Sequence, residues 1–189
     1  MTEIINQLDK GDGLVVVDVQ KDFCSGGLLA LDGGDQVVAP LNRWIGHARE
    51  RGVRVYASRD WHPLYHVSFQ EQGGKWPPHC LQDSEGAKFH PDLMLPPDVV
   101  KITKGVRFDQ DQNSVFDQTG FAAQLRRDGV KRLWIGGLAE DVCVLASVLD
   151  ALKEGFEVFL LKAATRPVKL EDGREAEKSM KRLGARIIL

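Results

Sequence analysis

Residues 132–155 read RLWIGGLAEDVCVLASVLDALKEG. A short apolar run, Arg132–Gly136, breaks at paired glycines, after which Val142, Leu145, Val148, Leu149 and Leu152 recur at helical spacing up to a stop at Gly155. That is a buried strand, a tight turn and a helix in one stretch. Working outward, similar runs rich in Val, Ile and Leu stand at Leu14–Val19, Val53–Ser58, Val99–Thr103, Glu157–Leu161 and Ala185–Leu189, as strands buried on both faces should read. Further helical patterns lie near Asp35–Arg51, Gln118–Asp128 and Gly173–Leu183. Pro40 lacks the N–H that a helix interior needs, so the first of these is expected to begin later than Asp35. A parallel connection needs a crossover, and the crossover covers the sheet. The expected class is therefore α/β, doubly wound: a six-stranded, mostly parallel sheet with helices on both faces.

A chain of 189 residues can bury the core of one domain, taken here as 1–189. One segment breaks the alternation. Residues 60–97 hold no long periodic stretch but four histidines and six prolines, the signature of a functional loop insertion. The formal charge of −2, from 25 basic and 27 acidic residues, leaves no footprint for nucleic acid or an anionic membrane and favours a small, weakly charged ligand. Cys24, Cys80 and Cys143 are odd in number and unpaired in spacing, so a reducing compartment is expected and any special cysteine is reactive or a ligand. The opening MTEIINQLDKGDG has neither a basic region nor an apolar run of signal length, which makes the cytoplasm the expected location.

In open parallel sheets the ligand crevice lies beyond the carboxyl ends of the strands, so the polar residues just after each apolar run are the ones to collect. Asp18 follows three valines, where a carboxylate is either a base or a cap of the next turn. Lys104 ends VVKITK and either points to water or serves the site. Cys143 sits near the start of a helix, which favours thiolate, although a free cysteine is also a common small core residue. The charges of Glu140 and Asp141 would oppose its ionisation, and Lys104 could supply the missing positive charge. Asp60-x-His62 places two side chains on one side of an extended segment, and His79 follows after a loop that can fold back. Two histidines and a carboxylate with open positions describe a catalytic or ligand-binding metal site, the alternative being a histidine-rich loop that is merely solvated. His66 is either a further ligand or a neighbour, while His47 and His90 read as surface residues and Cys24 and Cys80 as packing.

Together, VVVDVQKDFCSGGLLA (15–30), RDWHPLYHVSF (59–69), KWPPHC (75–80), KITKG (101–105), GGLAEDVCVLASVLDA (136–151) and KAATRPV (162–168) resemble, in order, the nicotinamidase branch of the isochorismatase-like hydrolases. The resemblance implies a Rossmann-like three-layer sandwich, a catalytic triad of Asp18, Lys104 and Cys143, and one divalent metal, zinc before iron or manganese, on Asp60, His62 and His79. It further implies Phe23 and Trp76 beside a flat substrate ring, Leu138 at the substrate, a cis peptide at Leu138–Ala139, and an oxyanion hole from the N–H groups of Ala139 and Cys143. The implied reaction is hydrolysis of nicotinamide to nicotinic acid and ammonia through a cysteine thioester, serving NAD salvage, in a homo-oligomer. Glu140, Val142 and Asn113 depart from the residues common there, which bears on pocket shape more than on reaction class. The competing readings are a ureidoacrylate or carbamoyl amidase, which gives the metal segment no task, isochorismate hydrolysis, which does not need the cysteine, and a non-catalytic metal-containing binding module.

Overall fold

The computed structural model describes residues 8–189. The strands are β1 (Asp12–Val17), β2 (Arg54–Asp60), β3 (Val100–Lys104), β4 (Arg132–Leu138), β5 (Glu157–Arg166) and β6 (Arg186–Ile188), and the helices α1 (Val38–Glu50), α2 (Phe121–Arg127), α3 (Leu145–Lys153) and α4 (Leu170–Arg182). They form one sheet in the order β3-β2-β1-β4-β5-β6. Every strand pair is parallel, so the expected "mostly parallel" sharpens to wholly parallel. Helix α1 covers one face through Val38, Leu41, Trp44, Ile45 and Ala48, together with the long segment between β2 and β3. Helices α2, α3 and α4 cover the other through Phe121, Leu125, Val148, Ala176 and Met180. Alternate residues of β1 divide between the two cores, Leu14 and Val16 to one and Val15 and Val17 to the other, which is why its sequence reads as an unbroken apolar run.

Helix α1 begins at Val38, after a 3₁₀ turn at Gly34–Val37, so Pro40 falls in the first helical turn, where its missing N–H costs nothing. Helix α3 differs from its expected face. Val144, Ser147, Val148 and Ala151 are buried, and Val142, Leu145, Leu149 and Leu152 flank them. Ser147 is the reason the pattern misleads: its hydroxyl donates to Cys143 O at 2.6 Å and accepts from Val115 N at 3.0 Å, so a polar residue occupies the core stripe without an unmet bond.

Strand order reverses between β1 and β4, one running on to β2 and the other to β5, so a crevice opens where their crossovers part. Gly137 lets the two strands close beneath it: its φ is +128°, and a Cβ there would lie 2.0 Å from Val17 O. Among the described residues no helix is long and apolar enough to cross a membrane. The opening stretch, read above as lacking a signal, lies largely outside the described residues.

Candidate active site

The carboxyl ends of β1, β2, β3 and β4 deliver four side chains to one place. Asp18 follows β1 in the left-handed region (φ 46°), held there by Asp18 N to Ser58 O at 3.2 Å and Gln20 N to Asp18 O at 2.8 Å. Asp60 ends β2, Lys104 ends β3, and Cys143 lies in a π-helical turn, Glu140–Val144, between β4 and α3. Lys104 is the hub. Its fully buried Nζ stands 2.5 Å from Asp60 Oδ1, 2.8 Å from Asp18 Oδ2, 3.3 Å from Gln112 O and 3.4 Å from Cys143 Sγ. The bond to Asp60 is well aligned, whereas the contact with Asp18 is an ion pair of poorer alignment, which leaves Asp18 Oδ2 the less fully bonded oxygen. Ser58 Oγ donates to the other oxygen, Asp18 Oδ1, at 2.7 Å.

Burial and partners set the protonation states. Burial lifts the Asp18 carboxyl above the usual aspartate range, and the Asp60 charge adds to this against the opposing pull of Lys104. Burial would lift Asp60 too, yet Lys104, His62 and His79 together hold it well below that range. Burial alone would lower Lys104, but its two carboxylates outweigh that and keep it firmly cationic. Burial pushes the Cys143 thiol well up, with Lys104 opposing. The resting thiol is therefore neutral, and Asp18 stands within 4.8 Å of it as a base. Glu140 and Asp141 do not weigh on the thiol as the sequence suggested. Glu140 is paired to Lys162, and Asp141 accepts from Val168 N at 2.8 Å, so both carboxylates are turned away.

Beside the hub, ligand atoms of Asp60, His62 and His79 all lie within 4.8 Å of one another. His62 Nδ1 meets Gly105 O at 2.9 Å and His79 Nδ1 meets Pro77 O at 2.8 Å. A carbonyl can only accept, so in each neutral ring Nδ1 carries the proton and Nε2 keeps a lone pair, the tautomer a metal ligand requires. These residues fit a divalent cation. His66 is placed differently: its Nδ1 meets Ser68 Oγ at 2.7 Å and lies 3.3 Å from Ser68 N, while its Nε2 is buried without a hydrogen-bond partner. Cys24, Asp35 and His90 form another close trio, but His90 Nδ1 accepts from Asp92 N at 3.2 Å while Nε2 faces Asp35, the wrong tautomer for a ligand. Burial, with Asp35, also pushes the Cys24 thiol up to about 12. His90 is thus half-buried and bonded, not the free surface residue expected from sequence.

A cleft of about 410 Å³, counting its open mouth, joins these groups. Phe23, Trp76, Leu31, Val142 and Val168 wall it, Asp60, His62 and His79 take one side, and Ala139 and Cys143 the floor. The Leu138–Ala139 peptide is cis. Leu138 itself corrects an expectation: its side chain is wholly buried in the core and does not line the cleft, because β4 continues to that residue and turns it into the sheet.

The family model for the Isochorismatase domain matches residues 12–189. The chain belongs to the isochorismatase family. Within that family, a nicotinamidase of Escherichia coli (strain K12) is 37% identical over 195 residues, covering 91% of this chain and 92% of its own. Among solved structures, the pyrazinamidase of Pyrococcus horikoshii in complex with zinc superposes with a TM-score of 0.91 at 44% identity, covering 94% of this chain and 98% of that one. PnC1 from L. infantum in complex with nicotinate gives 0.86 at 34% identity, covering 95% and 92%.

This isochorismatase-family site also depends on polar residues that sequence reasoning passed over. Gln20 is fully buried, donates to Asp60 O and Ala87 O at 2.8 Å each, and accepts from Asp60 N at 2.7 Å, so it fixes the backbone of Asp60. Asp22 accepts from Cys80 N at 2.7 Å and Leu28 N at 3.1 Å, tying the loop that bears His79 to the segment that bears Phe23. The available signal was compositional: in DVQKD, residues 18, 20 and 22 are polar directly after an apolar strand, where buried polar groups need partners.

Proposed function

We propose that this chain is a nicotinamidase, an amidohydrolase that converts nicotinamide to nicotinic acid and ammonia with Cys143 as nucleophile. The observation that carries the reading is Lys104 Nζ standing among Asp18, Asp60 and Cys143, the last two of which line the cleft. The similarity to a nicotinamidase and to a structure holding nicotinate supports the choice of a pyridine carboxamide.

Asp18 Oδ2, the less fully bonded oxygen, takes the thiol proton, and Lys104 offsets the negative charge that forms on sulfur. The sulfur forms its bond to the amide carbon. The oxyanion is held by the N–H groups of Ala139 and Cys143, a contact worth roughly 3–4 kcal/mol in comparable sites. Asp18 returns its proton to the leaving nitrogen, the C–N bond breaks and ammonia departs. Asp18 then takes a proton from water as its oxygen adds to the thioester carbon. The C–S bond breaks, the acid leaves, and the proton returns to sulfur.

Asp60, His62 and His79 would hold the metal, which we take to be zinc before iron or manganese and whose contribution is a positive grip on the ring nitrogen. His66 would add a fourth donor through its buried Nε2 with Nδ1 donating to Ser68 Oγ. Phe23 and Trp76 would press on the two faces of the ring. The free cysteines suit the cytoplasm, where the product acid would enter NAD salvage, and we expect a homo-oligomer. Ammonia release from nicotinamide by the metal-loaded protein, beside Cys143→Ala, tests the reading. Release by the parent and loss in the variant support it; no release from a folded, metal-loaded parent rejects it.

A further inference from the structure

Strand β5 does not run evenly against β4. Ile135 lies opposite Leu160, but Gly137 lies opposite Thr165, so the residues between, 161–164, are thrown into a bulge. Bulges beside active sites re-aim side chains. Lys162, in this bulge, reaches the carboxylate of Glu140 and stands 2.8 Å from Glu177 Oε2 on α4. Glu140 is 1% exposed and directly follows Ala139, in the same π turn as Cys143. Below it, Thr165 Oγ donates to Gly137 O at 2.7 Å. Beside it, Asp141 binds Val168 N, on the cleft wall.

A carboxylate buried against one partly exposed lysine is a poor device for stability alone, since its desolvation offsets much of the attraction. Its position suggests another use. We infer that Glu140 and Lys162 are a positioning pair: the bulge of β5 anchors the π turn through them and holds the Cys143 thiol in register with Asp18 across the β1/β4 crevice. Neither residue lines the cleft, so the pair acts on the rate of attack and not on binding. The inference rests on the amidase reading above.

The test compares Glu140→Ala, Glu140→Gln, Lys162→Met and Lys162→Arg in the metal-loaded full chain. Four quantities are read: kcat and KM for nicotinamide, the rate of Cys143 alkylation by iodoacetamide, and Tm. Misplacement on the order of 1 Å costs about 100-fold in rate, so Glu140→Ala and Lys162→Met should lower kcat by about 10- to 100-fold and slow alkylation in parallel. KM should stay within about twofold, and Lys162→Arg should restore most of kcat. Lys162 is partly exposed, so Lys162→Met reads the pair even where Glu140→Ala fails to fold. Unchanged kcat and alkylation with a lower Tm would overturn the inference in favour of a structural pair, and a raised KM at constant kcat would overturn it in favour of substrate contact. A parent that releases no ammonia would reject the amidase reading, while the alkylation rates would still judge the pair.

Discussion

The sheet carries buried carboxylates at both ends, and they are treated differently. At the amino end, Asp12 receives Arg132 Nε at 2.6 Å and Nη2 at 2.7 Å, Trp134 Nε1 at 3.0 Å and Asp9 N at 3.0 Å, so both of its oxygens have aligned donors. At the carboxyl end, Asp18 has one oxygen on Ser58 and the other beside an ammonium that is bonded elsewhere. The same residue type, equally buried, is saturated in one place and left with an accepting lone pair in the other. Saturation marks a group that holds the fold together. A deliberately incomplete set of partners marks one that must move a proton.

The strongest way to break this contrast is to remove the reactive groups. Cys143→Ala and Asp18→Asn should each reduce kcat/KM for nicotinamide by on the order of 10⁴-fold, with the double variant little worse than either, because groups that act as a unit do not add. Steady-state kinetics on the metal-loaded variants would settle it. An Asp18→Asn enzyme within tenfold of the parent would remove Asp18 as the base.

Stability should respond unequally at the two ends. Because the folded pKa of Asp18 is raised, its protonated form is favoured in the native state, and its contribution falls as pH rises from the unfolded value through the folded one. Lys104 gains from the same pairing, and Asp60 still faces it when Asp18 is neutralised, so Asp18→Asn should lose less stability than Asp12→Asn. Asp12→Asn should lose about 3 kcal/mol, the low end for breaking a buried pair because Arg132 stays about a third exposed, with kcat/KM within about twofold below the transition. Urea titrations of both variants at neutral pH would show it. Equal losses at the two ends would mean that saturation does not separate structural from chemical carboxylates.

The two ends also differ in how legible they were in the sequence. The strands announced themselves because both faces of a parallel sheet are covered, and the residues after them followed from the rule that ligands sit beyond carboxyl ends. Asp18, Asp60, Lys104 and Cys143 could be collected that way. Asp12 and Arg132 could not, since a charged residue at the start of a strand looks the same whether it is solvated or saturated. Gln20, Ser58 and Ser147 were equally hidden, because their roles depend on partners dozens of residues away or on the backbone of the next turn. Periodicity reads apolar burial well. It has no means of recognising a buried polar residue whose bonds are met.

The metal side offers a finer test of incomplete partnership, because there the vacant lone pairs belong to imidazoles whose other nitrogen is fixed by a carbonyl. Gly105 supplies that carbonyl to His62, and its own α-carbon lies against the ring: an added Cβ would sit 2.4 Å from His62 Cε1, at a φ of +67° that side chains rarely adopt. Gly105→Ala must therefore move either the ring or the carbonyl, and substitutions that disturb such supporting contacts cost about 10- to 100-fold in metal affinity. Competition with a chelator of known zinc affinity would measure it. The Asp12 end should be untouched, so the urea midpoint of the metal-free variant should shift far less than that of Asp12→Asn. Unchanged zinc affinity in Gly105→Ala would mean that the His62 tautomer is not set by this carbonyl, and the argument from ring tautomers would then no longer distinguish the Asp60 trio from the Cys24 trio.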